Sequence, residues 1–436
     1  MKLELSFYND RKIKLSTKSD YYYYIILHLK KLLKKNGRIG LILSNSWLGT
    51  DSGKILYKAL NEYFEIDTIM ISGNGKWFDN ANVMSSILIL NHKSNLSKSI
   101  KFLKLNYPLK ELTYEEIDTI ANDYILEAKN PYFTQSIYTK DEVSELQNKN
   151  ISLNSLFFDV SWLNEIEDYI VPLSNNFQVI RGMRRGWDPL FYPPSNHNIE
   201  KEYIEPVIKS SRNIKSFNAT PDGNAFCCSK TIKELEDLNH IGALSWINKF
   251  ENGVNKVGIP LTQSLKTGKL HWYEMRTINS LAEIVTSINP GKRIFWSALA
   301  TPSFINQRLI GLNRNENCET SITLLVALLN SILGLFFIES IGFGRGLGAL
   351  DIQKNNIEKS YMLNPDLLSD DQKAKIIVSF KNLGNDISED TRIDLYSSAR
   401  EDFDKTVLSC YGIVDLYDSI RVSLVNMMNT RIDVRE

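Results

Sequence analysis

Residues 20–91 constrain the fold of this chain most, because helical and strand patterns alternate there without a break. Apolar side chains recur at helical spacing from Tyr22 to Leu33. Asp20 can cap the start of that helix, and Gly37 can end it, since glycine adopts the left-handed cap conformation at low cost. The pattern predicts a helix that leads directly into a strand.

A strand buried on both faces of a parallel sheet is predicted next, because Arg38–Ser44 is an almost continuous apolar run. Asn45–Leu48 follows as a loop at the carboxyl end of that strand, where open α/β sheets bind their ligands. A helix over about 52–64 and strands over 66–72 and 84–90 complete the pattern. The stretch predicts an α/β domain with a ligand site beside Asn45–Leu48.

The runs LLKKNGRIGLILSNSWL, YFEIDTIMIS and WFDNANVMSSILIL extend over about sixty residues and resemble part of a known enzyme class. They are similar to the second half of the catalytic domain of adenine-specific DNA methyltransferases from type II and type IIG restriction–modification systems. The resemblance implies a partial Rossmann-like methyltransferase sheet in residues 1–110. It also implies methyl transfer from S-adenosylmethionine to the exocyclic amino group of an adenine flipped out of duplex DNA.

The resemblance also implies roles for four residues of this stretch. An aromatic residue just before the third strand contacts the flipped base in this family, and Phe78 stands at the matching position. Packing in the core is the alternative role for Phe78. Asn45, Ser46 and Trp47 match the loop that closes the catalytic cleft, which is a supporting role.

Two further signatures of the family do not occur before Asp20. One is a glycine-rich turn after a strand, which approaches S-adenosylmethionine. The other is Asn-Pro-Pro-Tyr, which accepts hydrogen bonds from the adenine amino group and stacks on the base. Similar runs at 130–133, 188–191 and 342–346 lie in other contexts and are interpreted as decoys. We therefore identify no catalytic residue and expect an incomplete cofactor site, with the first half supplied by a partner chain or lost by truncation.

Residues 111–176 are rich in Asn, Ser, Lys and Glu and are expected to form a helical connector. Helices are predicted over 111–124 and 139–148. Just before this region, residues 103–109 can add an edge strand to the first sheet, since Pro108 lacks an N–H group and suits an edge.

Residues 177–365 resemble the target-recognition domain of the same enzymes and of type I specificity subunits, from FQVIRGMRRGWDPLFYP to LGALDIQKNNIEKSYMLNP. A mixed α+β domain is implied, with short strands packed on one apolar helix over 322–340 and a flexible glycine loop over 342–348. Arginine reads guanine and grips phosphates, while phosphate contacts position the protein without specifying sequence. The predicted DNA contacts are the basic and aromatic residues near the glycines and turns of this domain: Arg181, Arg184, Arg185, Trp187, Lys209, Arg212 and Arg345. The alternative for any one of these arginines is a solvent-exposed position on a basic turn, without a DNA contact.

Residues 366–436 are expected to form a helical carboxyl-terminal segment. Two functions remain open at this point. The first is a methyltransferase polypeptide whose activity needs the missing half. The second is a non-catalytic DNA-binding specificity subunit, or a degenerate remnant, that uses the recognition domain alone.

The composition fits either function. The chain has 436 residues, 43% of them hydrophobic and 23% charged, which suits a globular protein of two or three domains. The formal net charge is zero, but a local basic groove can still bind DNA. Four cysteines without metal-ligand spacing indicate a reducing cytoplasm and no metal site. The expected partners are double-stranded DNA, a chain with the first methyltransferase half and a restriction endonuclease, with no membrane.

Overall fold

The computed structural model describes residues 15, 19–78, 80, 83–94, 99–126, 130–182, 186–275, 281–345 and 349–433. The strands of this part, in chain order, are β1 Arg38–Ser44, β2 Phe64–Ser72, β3 Ser85–His92, β4 Ser99–Leu105, β5 Phe133–Thr139, β6 Ile170–Pro172, β7 Phe177–Arg181, β8 Ile204–Ile208, β9 Asn218–Ala219, β10 Gly223–Phe226, β11 Ala282–Ser287, β12 Ser297–Ile305, β13 Leu309–Arg314, β14 Phe343–Arg345, β15 Ala349–Asp351 and β16 Tyr361–Leu363.

The α-helices of the same part, numbered in chain order, are α1 Tyr21–Leu29, α2 Asp51–Tyr63, α3 Tyr114–Leu126, α4 Lys140–Asn148, α5 Asp188–Phe191, α6 Ile232–Asp237, α7 Ile241–Glu251, α8 Leu261–Ser264, α9 Ile322–Asn330, α10 Ile332–Ile341, α11 Lys354–Glu358, α12 Asp370–Leu383, α13 Thr391–Asp394, α14 Ser398–Cys410 and α15 Tyr417–Ile432. The α/β half-sheet, the mixed α+β region and the helical tail follow one another in the predicted order.

The first sheet has the strand order β1-β3-β2-β4-β5. β3 runs antiparallel between β1 and β2, whereas β2 and β4 are parallel. The prediction that β1 is buried on both faces of a parallel sheet is wrong. β1 lies at the edge of the sheet and pairs antiparallel with β3, and Ile42 at its centre is 60% exposed. An apolar run indicates that the side chains of a strand are buried, but it does not identify the neighbouring elements that bury them.

β4 is also placed differently from the prediction. It ends at Leu105 and is an interior strand, because β5 pairs with it from Phe133 to Thr139. Pro108 lies beyond the strand and precedes a short 3₁₀ turn, Leu109–Glu111. The region expected to be a helical connector therefore contributes a strand as well as the helices α3 and α4. Thr139 starts α4 with a capping box that includes Glu142.

The second sheet has the order β10-β8-β12-β11-β13-β7, with β9 paired to β12. Its inward side chains join a large core that also contains α9, α10 and the tail helices. A separate apolar cluster lies around α5 and α7 and includes Leu190, Phe191 and Phe226. The predicted break at Pro290 and Gly291 is confirmed, because it separates β11 from β12. The predicted break at Pro302 is wrong, because Pro302 lies within β12, and Pro260 precedes the helix α8 rather than a strand.

The apolar helix expected over 322–340 is two helices. α9 and α10 meet at Ser331 with a bend of 65°. Ser331 has an extended backbone, and its Oγ accepts a hydrogen bond from the Gly334 N–H, so it caps α10. Within the described residues no single helix meets the length and apolarity needed to cross a membrane, and only this bent pair does so jointly.

The tail is helical, as predicted, and α12, α14 and α15 account for most of it. Leu408, Tyr411 and Ile413, expected in the core, are all buried. α15 packs on α10 and ends beside the first sheet, so the tail reaches the predicted ligand site.

Candidate cleft and nucleic-acid interface

The turn Asn45–Leu48 after β1 is a rigid 3₁₀ turn. The Asn45 N–H donates to the carbonyl of Met84 at 2.9 Å, which ties the turn to the start of β3. Trp47 is fully buried, and its indole N–H donates to Ser86 Oγ at 3.1 Å. A Cβ at Gly53 would lie 1.7 Å from the Trp47 carbonyl oxygen, so only glycine fits where α2 begins. Trp47 therefore supports the turn from below.

A cavity of about 80 Å³ lies at the carboxyl ends of β1 and β2. Asn45 is the residue of the predicted cleft loop that lines it. Ser72 at the end of β2 and Met84 before β3 also line it, as do Glu339 and Arg431. The remaining lining residues come from the sheet, the segment 154–158, the hairpin and α15: Ile71, Asn154, Ser155, Phe158, Gly342, Leu350, Met427 and Thr430. The predicted ligand position at the strand ends is thus a real concavity between the first sheet and the tail.

Glu339 and Arg431 form a buried ion pair in the wall of this cavity. The guanidinium Nε and Nη2 lie 2.6 and 2.9 Å from the two carboxylate oxygens. Arg431 Nη2 also donates to the Gly291 carbonyl at 3.1 Å. A buried charge is costly unless it is paired and hydrogen-bonded, and these contacts provide both conditions. The pair joins α10 and α15 to the loop before β12.

Lys104 adds a second cation near the cavity. Its ammonium nitrogen lies 5.8 Å from the centre of the Phe158 ring, which lines the cavity. Burial lowers the pKa of Lys104 from its ordinary value, because water no longer stabilises the charged form.

Phe78 lies between β2 and β3, on the segment that joins Ser72 to Met84. It is 42% exposed, so the alternative of a core position is wrong. Phe78 does not line the cavity in this structure. Its neighbour Trp77 packs instead against the apolar cluster around Met70 and Leu103 on the sheet. Contact of Phe78 with a flipped base stays a prediction.

Three segments that follow strands of the second sheet lie close together, and we call them the recognition turns: the segment after β7, of which residues 181–182 and 186–187 are described, and residues 209–213 and 306–308. The Asn306 N–H donates to the carbonyl of Ile208 at 3.0 Å, and the Gly182 N–H donates to the carbonyl of Leu309 at 3.1 Å. A Cβ at Gly182 would lie 1.8 Å from the Asn306 carbonyl oxygen. Glycine is needed there because the two turns touch through their backbones.

The recognition turns present three exposed arginines: Arg181, Arg212 and Arg308. Lys209 is half-buried, with its backbone N–H held by Asp222 Oδ1 at 2.7 Å. Arg308 was missed from the sequence. The signal for it was the polar triplet ending at Arg308 between the apolar runs of β12 and β13, which is typical of a hairpin turn whose side chains face solvent.

The other predicted contacts divide into two groups. Arg184 and Arg185 lie outside the described residues. Trp187 is half-buried and packs on the cluster around Leu190 and Phe191, so most of its ring serves packing. Any DNA contact of Trp187 stays a prediction.

Arg345 ends β14, so residues 343–345 of the expected glycine loop form a strand, while residues 346–348 of that loop lie outside the described residues. β14 pairs antiparallel with β15, with Arg345 opposite Ala349. Pairing of Gly344 with Leu350 holds this part of the segment in a strand. The side chain of Arg345 lies outside the described part.

The hairpin β14–β15 connects the cleft with the recognition turns. β14 packs on the turn Asn45–Leu48. On its other side the Leu350 N–H donates to the Pro290 carbonyl at 3.2 Å, and the Ile288 N–H donates to the Arg308 carbonyl at 3.0 Å. A continuous line of backbone contacts therefore runs from the cleft turn to Arg308.

The turns after β1 and β2 are filled by packing and backbone contacts. The turn after β1 is filled by the buried Trp47. The turn after β2 is closed by the bond from the Gly73 N–H to the Leu105 carbonyl at 2.7 Å. A Cβ at Gly73 would lie 2.5 Å from that oxygen, so this glycine serves strand packing. Within the described residues no group of three or more His, Cys, Asp or Glu side chains could hold a metal ion.

Comparison with known proteins adds to this geometry. Residues 1–78 match the family described as Eco57I restriction-modification methylase. The curated Type II methyltransferase M.AccI of Acinetobacter calcoaceticus is 24% identical over 385 residues, which are 85% of this chain and 67% of that protein.

Two solved structures are also similar. The type IIL restriction-modification enzyme MmeI, solved in complex with DNA, aligns with a TM-score of 0.50 and 13% identity over 93% of this chain and 52% of that chain. The type IIG restriction endonuclease BpuSI aligns with a TM-score of 0.46 and 11% identity over 98% of this chain and 51% of that chain. The chain spans about half the length of these two solved proteins.

Proposed function

Since this chain is a relative of the methyltransferases of restriction–modification systems, we propose that it forms the second half of a site-specific DNA methyltransferase together with its target-recognition domain. The reaction is methyl transfer from S-adenosylmethionine to the exocyclic amino group of adenine in duplex DNA. In this proposal residues 1–110 belong to the catalytic domain, 111–176 connect it, 177–365 recognise DNA and 366–436 support both.

The observation that carries the proposal is the continuity between the cleft and the recognition turns through the hairpin β14–β15. A duplex held by Arg181, Arg212 and Arg308 would pass beside the cavity at the strand ends. An enzyme that acts on a base inside a duplex must flip that base into such a pocket. The exposed Phe78 lies on the segment that joins two cavity-lining residues, Ser72 and Met84, and in this proposal it stacks on the base.

The open side of the first sheet supports a separate or preceding first half. Within the described residues no strand pairs with the outer edge of β1. Ile42 on β1 is 60% exposed, and Ile25 and Leu32 in the segment that precedes β1 are 62% and 77% exposed. Unpaired, apolar sheet edges are a liability that proteins normally cover. We propose that the missing half adds a strand to β1, covers these side chains and brings the S-adenosylmethionine site and the Asn-Pro-Pro-Tyr motif.

A second candidate is a non-catalytic DNA-binding specificity subunit. It is favoured by the closed turns after β1 and β2. For either function, we propose a restriction endonuclease as a further partner of this chain. We place both in the cytoplasm, because all four cysteines are unpaired, as is typical of a reducing compartment.

Transfer of a labelled methyl group from S-adenosylmethionine to mixed-sequence duplex DNA tests the proposal. We expect no incorporation by the purified chain alone, and incorporation into adenine when the polypeptide encoded immediately upstream is co-expressed. Incorporation by the chain alone would refute the half-enzyme assignment. DNA binding without incorporation in either sample would establish the specificity subunit.

Ile42→Asp provides the matched variant for this assay. A carboxylate at the open face of β1 should prevent assembly with the first half and abolish incorporation, because an unpaired charge would be buried there. Ile393→Asp is the control, since Ile393 is 73% exposed on α13, far along the chain in the tail. Equal activity of the two variants would show that β1 is not the assembly edge.

A further inference from the structure

Residues 253–260 form a tight loop between α7 and α8 whose shape is fixed by its own hydrogen bonds. The Asn255 N–H donates to the Ile259 carbonyl at 2.8 Å, and the Gly258 N–H donates to the Asn255 carbonyl at 3.0 Å. Asn255 Oδ1 accepts the N–H groups of Val257 and Ile259, each at 3.0 Å. Gly258 has a φ of +81°, which glycine adopts without strain. Lys256 and Val257 stand at the tip of this braced turn.

The loop exposes three apolar side chains to solvent. Val257 is 77% exposed, Val254 54% and Ile259 41%. Isolated apolar side chains on a surface are ordinary, but three within six residues on a braced loop form a patch, and patches mark contact sites.

The charge around the loop indicates a polyanionic partner. The exposed lysines Lys249, Lys256, Lys266 and Lys269 lie on or near it in the chain. Between residues 249 and 270, Glu251 is the only acidic residue. A cationic surface with an apolar tip matches duplex DNA, which offers phosphates outside and thymine methyl groups in the major groove.

The loop is continuous with the recognition turns. A Cβ at Gly253 would lie 2.8 Å from Leu261 Cδ1, at the start of α8. Just after α8, Leu265 Cδ2 lies 3.5 Å from the corresponding position at Gly186. The short helix α8 thus lies between the loop and Gly186, the described residue that precedes Trp187 in the recognition turns.

We propose that residues 253–260 are a further DNA-contacting element, in which Lys256 meets a phosphate and Val257 contacts a thymine methyl group in the major groove. A valine is shorter than the Phe, Leu, Ile and Met side chains that open base steps from the minor groove, so a methyl contact suits it better. The inference rests on the proposed function, because it requires that the recognition turns bind DNA.

The test compares binding of the full chain to one pool of mixed-sequence duplexes prepared with thymine and with uracil, which lacks the methyl group. Wild type should prefer the thymine pool. Val257→Ala should weaken binding to the thymine pool by up to about fourfold, because this is the contribution of removing one thymine methyl group from water. The substitution should also abolish the preference for thymine over uracil. Lys256→Ala should lower the slope of log affinity against log salt by about 0.9.

Val378→Ala and Arg212→Ala are the controls. Val378 is 56% exposed on α12 and should leave binding and preference unchanged. Arg212→Ala should weaken binding to both pools. If Val257→Ala keeps the wild-type preference while Arg212→Ala weakens binding, the loop assignment is refuted and the proposed function stands. If wild type binds neither pool, DNA recognition by this chain and the loop assignment both fail.

Discussion

At the residue scale, Asp404 is a buried carboxyl under the bend between α9 and α10. Its Oδ1 accepts the Ile332 N–H at 2.8 Å, while Oδ2 has no partner among the described residues. Burial raises the pKa of Asp404 to about 7, and the Arg400 guanidinium at 4.0 Å offsets only part of that rise. The folded protein therefore keeps a proton on Asp404 at pH values where the unfolded chain has lost it.

The sign of this linkage gives a prediction for Asp404→Asn. Between the ordinary pKa of aspartate, about 4, and a pH of about 7, the folded state binds the extra proton, so the free energy of unfolding falls as pH rises. Asparagine retains the acceptor for the Ile332 N–H but does not titrate. Urea unfolding should therefore show a weaker decline for Asp404→Asn over this range, with a gain of a few kcal/mol at pH 8.

Asp402→Asn is the control for this measurement, since Asp402 is exposed on the same helix. Its pH profile should match that of wild type. A wild-type decline that persists in Asp404→Asn would assign the pH dependence to another group.

At the scale of elements, the bend between α9 and α10 is held by the Asn330 side chain at the end of α9 and by two side chains of α14, Arg400 and Asp404. Asn330 Oδ1 accepts the Trp296 N–H at 2.9 Å, and its Nδ2 donates to the Trp296 carbonyl at 2.8 Å. Arg400 Nη1 donates to the Asn330 carbonyl at 2.8 Å. A Cβ at Gly334 would lie 2.2 Å from the Leu329 carbonyl oxygen, so the helices also meet without room for a side chain.

Asn330→Ala tests how much of the bend depends on that amide. The substitution leaves the N–H and carbonyl of Trp296 buried without partners, at about 1–3 kcal/mol for each group. We expect a loss of roughly 2–6 kcal/mol in the free energy of unfolding, measured with urea. Asn248→Ala, on the exposed face of α7, should change it little. An equally small loss in Asn330→Ala would mean that Ser331 and Asp404 hold the bend alone.

At the scale of the whole molecule, a chain of zero net charge gathers arginines from distant segments at one place. Arg212→Ala and Arg308→Ala should each lower the slope of log DNA affinity against log salt by about 0.9, because each lost phosphate contact releases fewer counterions. Lys381→Ala, an exposed cation at the end of α12, should leave the slope unchanged. A slope unaffected by Arg308→Ala would remove that arginine from the interface.

The sequence alone determined the order of elements in residues 20–92 and the resemblance to restriction–modification methyltransferases, which the comparisons confirm. These features are local: the apolar spacing of the helices and the apolar run of β1 depend on neighbours a few residues apart. The predicted caps of the first helix were wrong, because Asp20 makes no side-chain capping bond and α1 ends at Leu29, before Gly37. The buried Leu408 and Tyr411 were found for the same reason.

Only the tertiary structure decided which partner each element meets. β3 lies between β1 and β2 and leaves β1 at an edge, and β5 makes β4 an interior strand. Ser331 splits the apolar run because Asn330, Arg400 and Asp404 bind its flanks. Arg308 joins Arg181 and Arg212 through backbone bonds between turns that are distant in the chain. Such contacts depend on strand order and packing across the whole fold, and no spacing along the sequence encodes them.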